Sequence, residues 1–537
     1  MTTGPCPPSP VDGIPADFGE SDRSSVSATL TPSVRDVETP APPRPTSGLW
    51  LWAAVGFVAA CGLALVGTRA AAVPVSPAPA WWFALPAGLE AGHGGALTVV
   101  FYGFGGLLVL AWVMVGLVAR RGLLTTRRAW ALLAAWGGPL VVAPPLFSRD
   151  LYSYVGQGLV ARRGLDPYSV GATALGSGHL LASIPAQWRS TPAPYGPLFI
   201  AAARYVTPIF GSTVNAEVVA LRCLELVGVA LTMVYLPRLA RSTGADPGTA
   251  LWLGVLSPLA LFGCIASGHN DALMVGLLIA GLALARTGRL VPGLVLLALA
   301  MTVKIPAVLA IGFLGIAEYR LATGRDRLRV VAEVALVPTA VVAAVTWLSG
   351  YGWGWLAAGT LQVPTELRIA QTPSVAVGTF AFHVLHALGF AVGQGGTITV
   401  AQDLAALAAV ALVAWLAWKV RTDNVVRLLG LAFLVVVVAS PTVWPWYLLW
   451  GLVVLAATPT QRSTVLAAAC ALGMFMVMPP GAPVIRGTGY LLVVAGCAVG
   501  AVALVRHRWR VPAAAGPAGG RGSLARSGPT RGSGSVA

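Results

Sequence analysis

Asp150 stands at the head of the string SRDLYSYVGQGLVARRG, directly after an apolar run that ends at Phe147. At helical spacing Asp150, Ser153, Tyr154 and Gln157 share one face, while Leu151, Val155 and Leu159 form an apolar counter-face. Such a helix can lie along a membrane surface with its polar face toward a site. Its first turn, capped by Ser148, points free backbone N–H groups and a positive dipole end at any phosphate nearby. The plainer alternative is an acid that only stabilises its own helix N-terminus. A second polar cluster, His269, Asn270 and Asp271 in SGHNDALM, sits between two apolar runs, where either chemistry or helix capping by Asn270 or Asp271 accounts for it. Lys304, in MTVKIPA, is one of two lysines in the chain; it faces an anion, pairs with an acid such as Asp271, or snorkels to the interface.

Other candidates carry weaker signals. Arg222 lies three residues before Glu225 inside an apolar run, which suits an intramembrane ion pair as well as a phosphate contact. Arg486, in MPPGAPVIRGTGY, is a loop arginine able to bind phosphate or simply to be solvated. Tyr195, Trp188, Trp353, Trp355, Trp444, Trp446 and Tyr447 can stack on sugar rings, although an interfacial aromatic belt also explains them. His383 and His386 have no ligand partner at useful spacing, the six cysteines form no CxxC, and GxxxxGK[ST] is absent. No cofactor is indicated and a divalent metal is left open.

The elements that must position these residues are membrane helices. Only 10% of the 537 residues are charged and 56% are hydrophobic, with a mean hydropathy of +0.78, where an ordinary soluble domain carries about 25% charge. An all-α, polytopic membrane protein is the consequence, with about fourteen spans. They are placed near 50–72, 96–118, 129–146, 216–238, 249–266, 271–286, 290–303, 304–320, 328–347, 398–418, 425–440, 446–458, 464–478 and 488–505. The net charge of +16 resides in short arginine clusters between apolar runs, which argues for topology signals and against nucleic acid. Taken as cytoplasmic, these clusters put both termini inside and the long connections 147–215 and 348–397 outside, with the apolar stretch 197–213 re-entrant or surface-lying. Residues 1–48 and 506–537 read as disordered tails flanking a membrane domain at 49–505, and no basic segment of a cleaved signal peptide precedes the first apolar run.

The ordered strings FSRDLYSYVGQG, GLDPYSVG, TPAPYGPLFI, SGHNDALMVG, VKIPA and SPTVWPWYLLW resemble the polyprenol-phosphate-mannose-dependent α-1,6-mannosyltransferases of the MptA/MptB type, multispanning GT-C glycosyltransferases, over about residues 50–505. The resemblance implies transfer of mannose from a polyprenyl-phosphate-mannose donor lipid to a lipid-anchored α-1,6-mannan at the outer face of the plasma membrane. It also implies an essential acid in the first large outer loop, the place Asp150 takes here, although two predicted spans precede the helix leading into it. On that basis Asp150 is expected to be the base of an inverting transfer. Lys304, Arg222, Arg486 and His269 are expected at the donor phosphate, and Ser153, Tyr154, Gln157, Tyr195, Asn270, Asp271, Trp444 and Trp446 around the substrates. The rivals are transfer of a pentose or glucose on the same scaffold and a lipid-glycan flippase.

Overall fold

In a computed structural model of the chain, the described residues are 47–70, 81–83, 94–357, 368–459 and 463–509. The expected terminal tails lie outside them, apart from the residues that extend the first and last helices. Leaving aside one-turn helices, the elements are α1 (Ser47–Ala70), α2 (Gly94–Ala119), α3 (Thr126–Val142), α4 (Asp150–Arg162), α5 (Pro197–Val206), α6 (Val214–Thr243), α7 (Pro247–Gly254), α8 (Pro258–Ala266), α9 (Asp271–Arg286), α10 (Leu290–Val303), α11 (Val308–Leu321), α12 (Asp326–Ser349), α13 (Pro373–Ala387), α14 (Gln394–Trp418), α15 (Val425–Ala439), α16 (Leu449–Ala456), α17 (Ser463–Leu472) and α18 (Tyr490–Trp509). Among the described residues no strand forms.

Local chemistry sets the boundaries. Thr125, Thr213, Asp246 and Ser257 each accept a backbone N–H at the start of α3, α6, α7 and α8, and Pro247 and Pro258 take first-turn positions where no donor is needed. Pro258 also breaks the α7–α8 run, which bends by 49°. The helices pack closest where side chains vanish. A Cβ on Gly228 of α6 would sit 2.1 Å from the Ala272 carbonyl oxygen of α9, so only glycine permits this contact.

Five helices, α1, α2, α6, α12 and α14, are long and apolar enough to cross a membrane, and the bent α7–α8 pair makes a sixth. The expectation of about fourteen spans is not reached by length and composition. Several apolar runs are helices of 10 to 17 residues, and a helix of ten residues is only about 15 Å long. α12 and α14 turn apolar side chains such as Leu336 and Val410 outward, as lipid-facing helices do. The stretch 197–213 forms the short α5 followed by a 3₁₀ turn over Thr207–Phe210. One expectation is corrected: α4 is not a surface helix, because it is buried along nearly its whole length between α5, α6 and the 172–175 turn. The connection 348–397 contains the helix α13.

Four elements share one direction. α3, the α7–α8 pair, α10 and α15 each start near a basic turn (Arg120–Arg128, Arg238–Arg241, Arg286–Arg289, Lys419–Arg421) and end at one of the segments carrying Asp150, His269, Lys304 and Trp444. At the opposite ends, Thr243 donates a hydrogen bond to the carbonyl of Ala457.

Candidate active site

The turn into α4 is held from several sides. Phe147 has φ +63°, the one left-handed non-glycine among the described residues. Its ring packs against Phe101 and Phe262 at 5.4 and 4.8 Å, and its N–H donates to the Pro479 carbonyl at 2.9 Å. Packing against both rings holds a backbone state that is otherwise disfavoured. Ser148 Oγ then accepts the Asp150 N–H at 3.0 Å, as the sequence suggests for a cap. Arg149 donates to the carbonyls of Ala182 (3.0 Å) and Ser183 (2.8 Å) and anchors the segment around them.

The second strut is α8. Its last six residues, Leu261–Ala266, wind as a π-helix, a form concentrated at functional sites. Ser267 Oγ donates to the Leu146 carbonyl at 2.6 Å, and Gly268, at φ +63°, lies so close to Leu151 that a Cβ would come within 2.8 Å. This puts the fully buried His269 beside the catalytic candidate: its Nδ1 is 3.4 Å from Asp150 Oδ2, and its ring stacks on Trp446 at 3.8 Å and 18°.

Lys304 ends α10 in an extended conformation, and Pro306 restarts the chain toward α11. Its Nζ donates to Asp271 Oδ1 and Oδ2 at 2.9 and 3.0 Å, and Trp450 Nε1 donates to Asp271 Oδ1. The ammonium also lies 4.5 to 5.6 Å from the ring centres of Tyr447, Trp450 and Tyr195. Gly196 N–H donates to the Val303 carbonyl at 3.0 Å, which keeps Tyr195 at the lysine. Tyr154 packs edge-on behind Tyr195 at 5.2 Å, and burial raises both phenols well above their ordinary value, so they stay neutral.

These groups enclose a cavity of about 170 Å³. It is lined by Asp150, Trp188, Tyr195 and Lys304 from the earlier segments and by Ser440, Thr442, Trp444, Tyr447 and Trp450 from a later one. A carboxylate and an ammonium thus share one small space with flat aromatic surfaces. That combination suits removal of a proton from one hydroxyl, support of a leaving anion, and stacking of sugar rings. Among the described residues no group of three or more His, Cys, Asp or Glu is arranged to hold a metal.

The structure separates the expected site residues. Asp150, Tyr195, Lys304 and Trp444 line the cavity; His269, Asp271, Trp446 and Tyr154 contact those residues from behind. Arg222 does not: fully buried, it donates to the carbonyls of Val141 and Ala143 (both 2.6 Å) and Ala266 (2.9 Å), joining the ends of α3 and α8. Glu225, its expected partner, accepts the Leu273 N–H instead. Arg486 folds onto its own loop, donating to Pro483. Asn270 makes no capping bond to α9, and its buried amide atoms, like Ser153 Oγ and Gln157 Oε1, have no hydrogen-bond partner. The sequence offers Tyr447 as a sugar-stacking residue without placing it in the expected site, and Trp450 is passed over; the helical spacing of Trp446, Tyr447 and Trp450 in WPWYLLW is the available signal.

Two family models match the chain: "Alpha-(1->6)-mannopyranosyltransferase, N-terminal domain" over residues 53–320 and "MptB C-terminal domain" over 373–507. The chain is 36% identical to alpha-(1->6)-mannopyranosyltransferase A of Mycobacterium tuberculosis, covering 71% of this chain and 75% of that protein. It is 34% identical to a probable alpha-(1->6)-mannopyranosyltransferase of Mycolicibacterium smegmatis (69% and 72% covered) and 30% identical to alpha-(1->6)-mannopyranosyltransferase B of Corynebacterium glutamicum (75% and 72%). No solved structure matches.

Proposed function

The chain belongs to the alpha-(1->6)-mannopyranosyltransferase family and is a mannosyltransferase of the membrane, and from that premise we propose that it moves mannose from a polyprenyl-phosphate carrier to an α-1,6-mannan by a single inverting displacement. The observation that carries this reading is the cavity itself, lined by the Asp150 carboxylate, the Lys304 ammonium and several aromatic side chains. The acceptor O6 attacks the anomeric carbon as its proton passes to Asp150. The bond from that carbon to the phosphate oxygen breaks, and its electron pair leaves with polyprenyl phosphate. Lys304, held by Asp271, meets the charge that develops on the phosphate. His269, at 3.4 Å from Asp150, belongs with the base rather than with the phosphate.

A lipid-borne donor is supported by an apolar groove of about 630 Å³ between α13, α14 and α15, lined by residues such as Val377, Ala405, Leu412 and Leu434. α15 turns Val435, Val438 and Ala439 into this groove and Val436 toward the cavity, so an isoprenoid tail can lie beside its own phosphate. Purified protein given polyprenyl-phosphate mannose and an oligomannoside should release polyprenyl phosphate and lengthen the oligomannoside by one unit, with anomeric configuration opposite to the donor's. Retained configuration by NMR, or product without phosphate release, would overturn the mechanism.

The cavity is proposed to face outward, because the helices leading to it start near arginine turns. After replacement of all six native cysteines, a cysteine at the exposed Ser177 should react with an impermeant maleimide in intact cells, and one at the exposed Thr323 only after the membrane is opened. The reverse pattern would invert the orientation.

A further inference from the structure

Val443 is a backbone residue held from the side. Its N–H donates to Thr372 Oγ1 at 3.1 Å, and its carbonyl accepts from Gln371 Nε2 at 3.2 Å. Two adjacent side chains therefore satisfy both hydrogen-bonding groups of one residue, as a neighbouring strand would. Both are deeply buried, Gln371 at 2% and Thr372 at 0% exposure.

Neither side chain is placed where local stability alone would put it. Thr372 is the N-cap residue of α13, followed by Pro373 in the first turn, yet its oxygen makes no bond to its own helix and reaches Val443 instead. Gln371 leaves Oε1 buried without a partner in order to present its amide N–H. A third bond, from Gln402 Nε2 to the Pro441 carbonyl at 3.3 Å, steadies the same segment.

The residues beyond Val443 lead to the reacting groups. Trp444 stacks on Trp446 at 4.9 Å and 7°, Trp446 stacks on His269 at 3.8 Å, and His269 stands 3.4 Å from Asp150. We infer that Gln371 and Thr372 are positioning residues, a clamp that fixes the Trp444–Trp446 stack against His269 and thereby aims the Asp150 carboxylate at the acceptor hydroxyl. The inference rests on the reading of Asp150 as the base. It assigns the segment at 371–372, outside both matched family models, a part in the reaction.

The test uses the full chain in detergent. Thr372→Val keeps the shape and removes the acceptor; it should lower kcat about tenfold or more, in line with the cost of a misplaced reacting group, while KM for the donor stays within about twofold. Thr372→Ser, which keeps the oxygen, should restore kcat to within about twofold, and Gln371→Met should reproduce the loss if Thr372→Val fails to fold. In a Trp446→Leu background the same substitution should cost less than about twofold, because the stack it serves is gone. By hydrogen exchange, amides of 442–448 should open about tenfold faster in Thr372→Val and recover in Thr372→Ser. A Thr372→Val protein with wild-type kcat, an additive loss in the Trp446→Leu background, or unchanged exchange at 442–448 would overturn the clamp. Wild-type kcat in Asp150→Asn would instead remove the base assignment and with it the functional half of the inference, while the exchange measurement still judges the contact.

Discussion

Asp150→Asn is expected to lower kcat by about 10² to 10⁴, a barrier rise of about 3 to 5 kcal/mol, while expression and folding stay close to wild type. The amide keeps the size and planarity of the carboxylate and loses only its capacity to take the acceptor proton. Little stability is at stake. The Asp150 side chain is 17% exposed and lies 3.4 Å from His269 Nδ1, while the helix start is held by its backbone N–H on Ser148 and by Arg149 on Ala182 and Ser183. Single-turnover transfer with a defined donor and a short mannoside measures the effect. A kcat within about tenfold of wild type, a change near 1.4 kcal/mol, would exclude Asp150 as the base.

Lys304→Met is expected to act on stability and on rate, and the two effects can be separated. The substitution strands the Asp271 carboxylate, whose side chain is 1% exposed, and removal of one member of a buried pair costs about 3 to 5 kcal/mol. The double variant Lys304→Met with Asp271→Leu has no charge left to strand and should recover much of that loss in thermal unfolding. Its kcat should remain about 10²-fold below wild type, because the cation at the leaving phosphate is still missing. A recovered double variant with wild-type kcat would make the pair purely structural and refute the phosphate role.

Much of this site is legible in the sequence because isolated polar residues in apolar runs are conspicuous. Asp150, His269, Asp271 and Lys304 lie in three distant segments, and all meet at one place. What the sequence does not reveal is how the third dimension engages each group. Arg222 and Glu225 share a helical face at i and i+3, but carbonyls exposed by the broken ends of α3 and α8 capture the guanidinium first. The polar and apolar faces of α4 suggest a helix on a boundary, whereas it is covered by protein on both, which leaves Ser153 and Gln157 buried. α13 is missed because fifteen residues carrying two histidines fall short of a span. The clamp escapes too, since a glutamine and a threonine in a loop have no periodicity to announce them.

The lining of the cavity comes from two different parts of the chain, and the two contributions differ in kind. Asp150 and Lys304 lie within the N-terminal family match, while the lining residues from Ser440 to Trp450 lie within the C-terminal one and include no carboxylate and no cation. The shape of the cavity and its charges are therefore set by separate stretches of the chain. A change of aromatic or hydroxyl side chain between Ser440 and Trp450 reshapes the cavity, yet leaves the Asp150 carboxylate and the Lys304 ammonium in place.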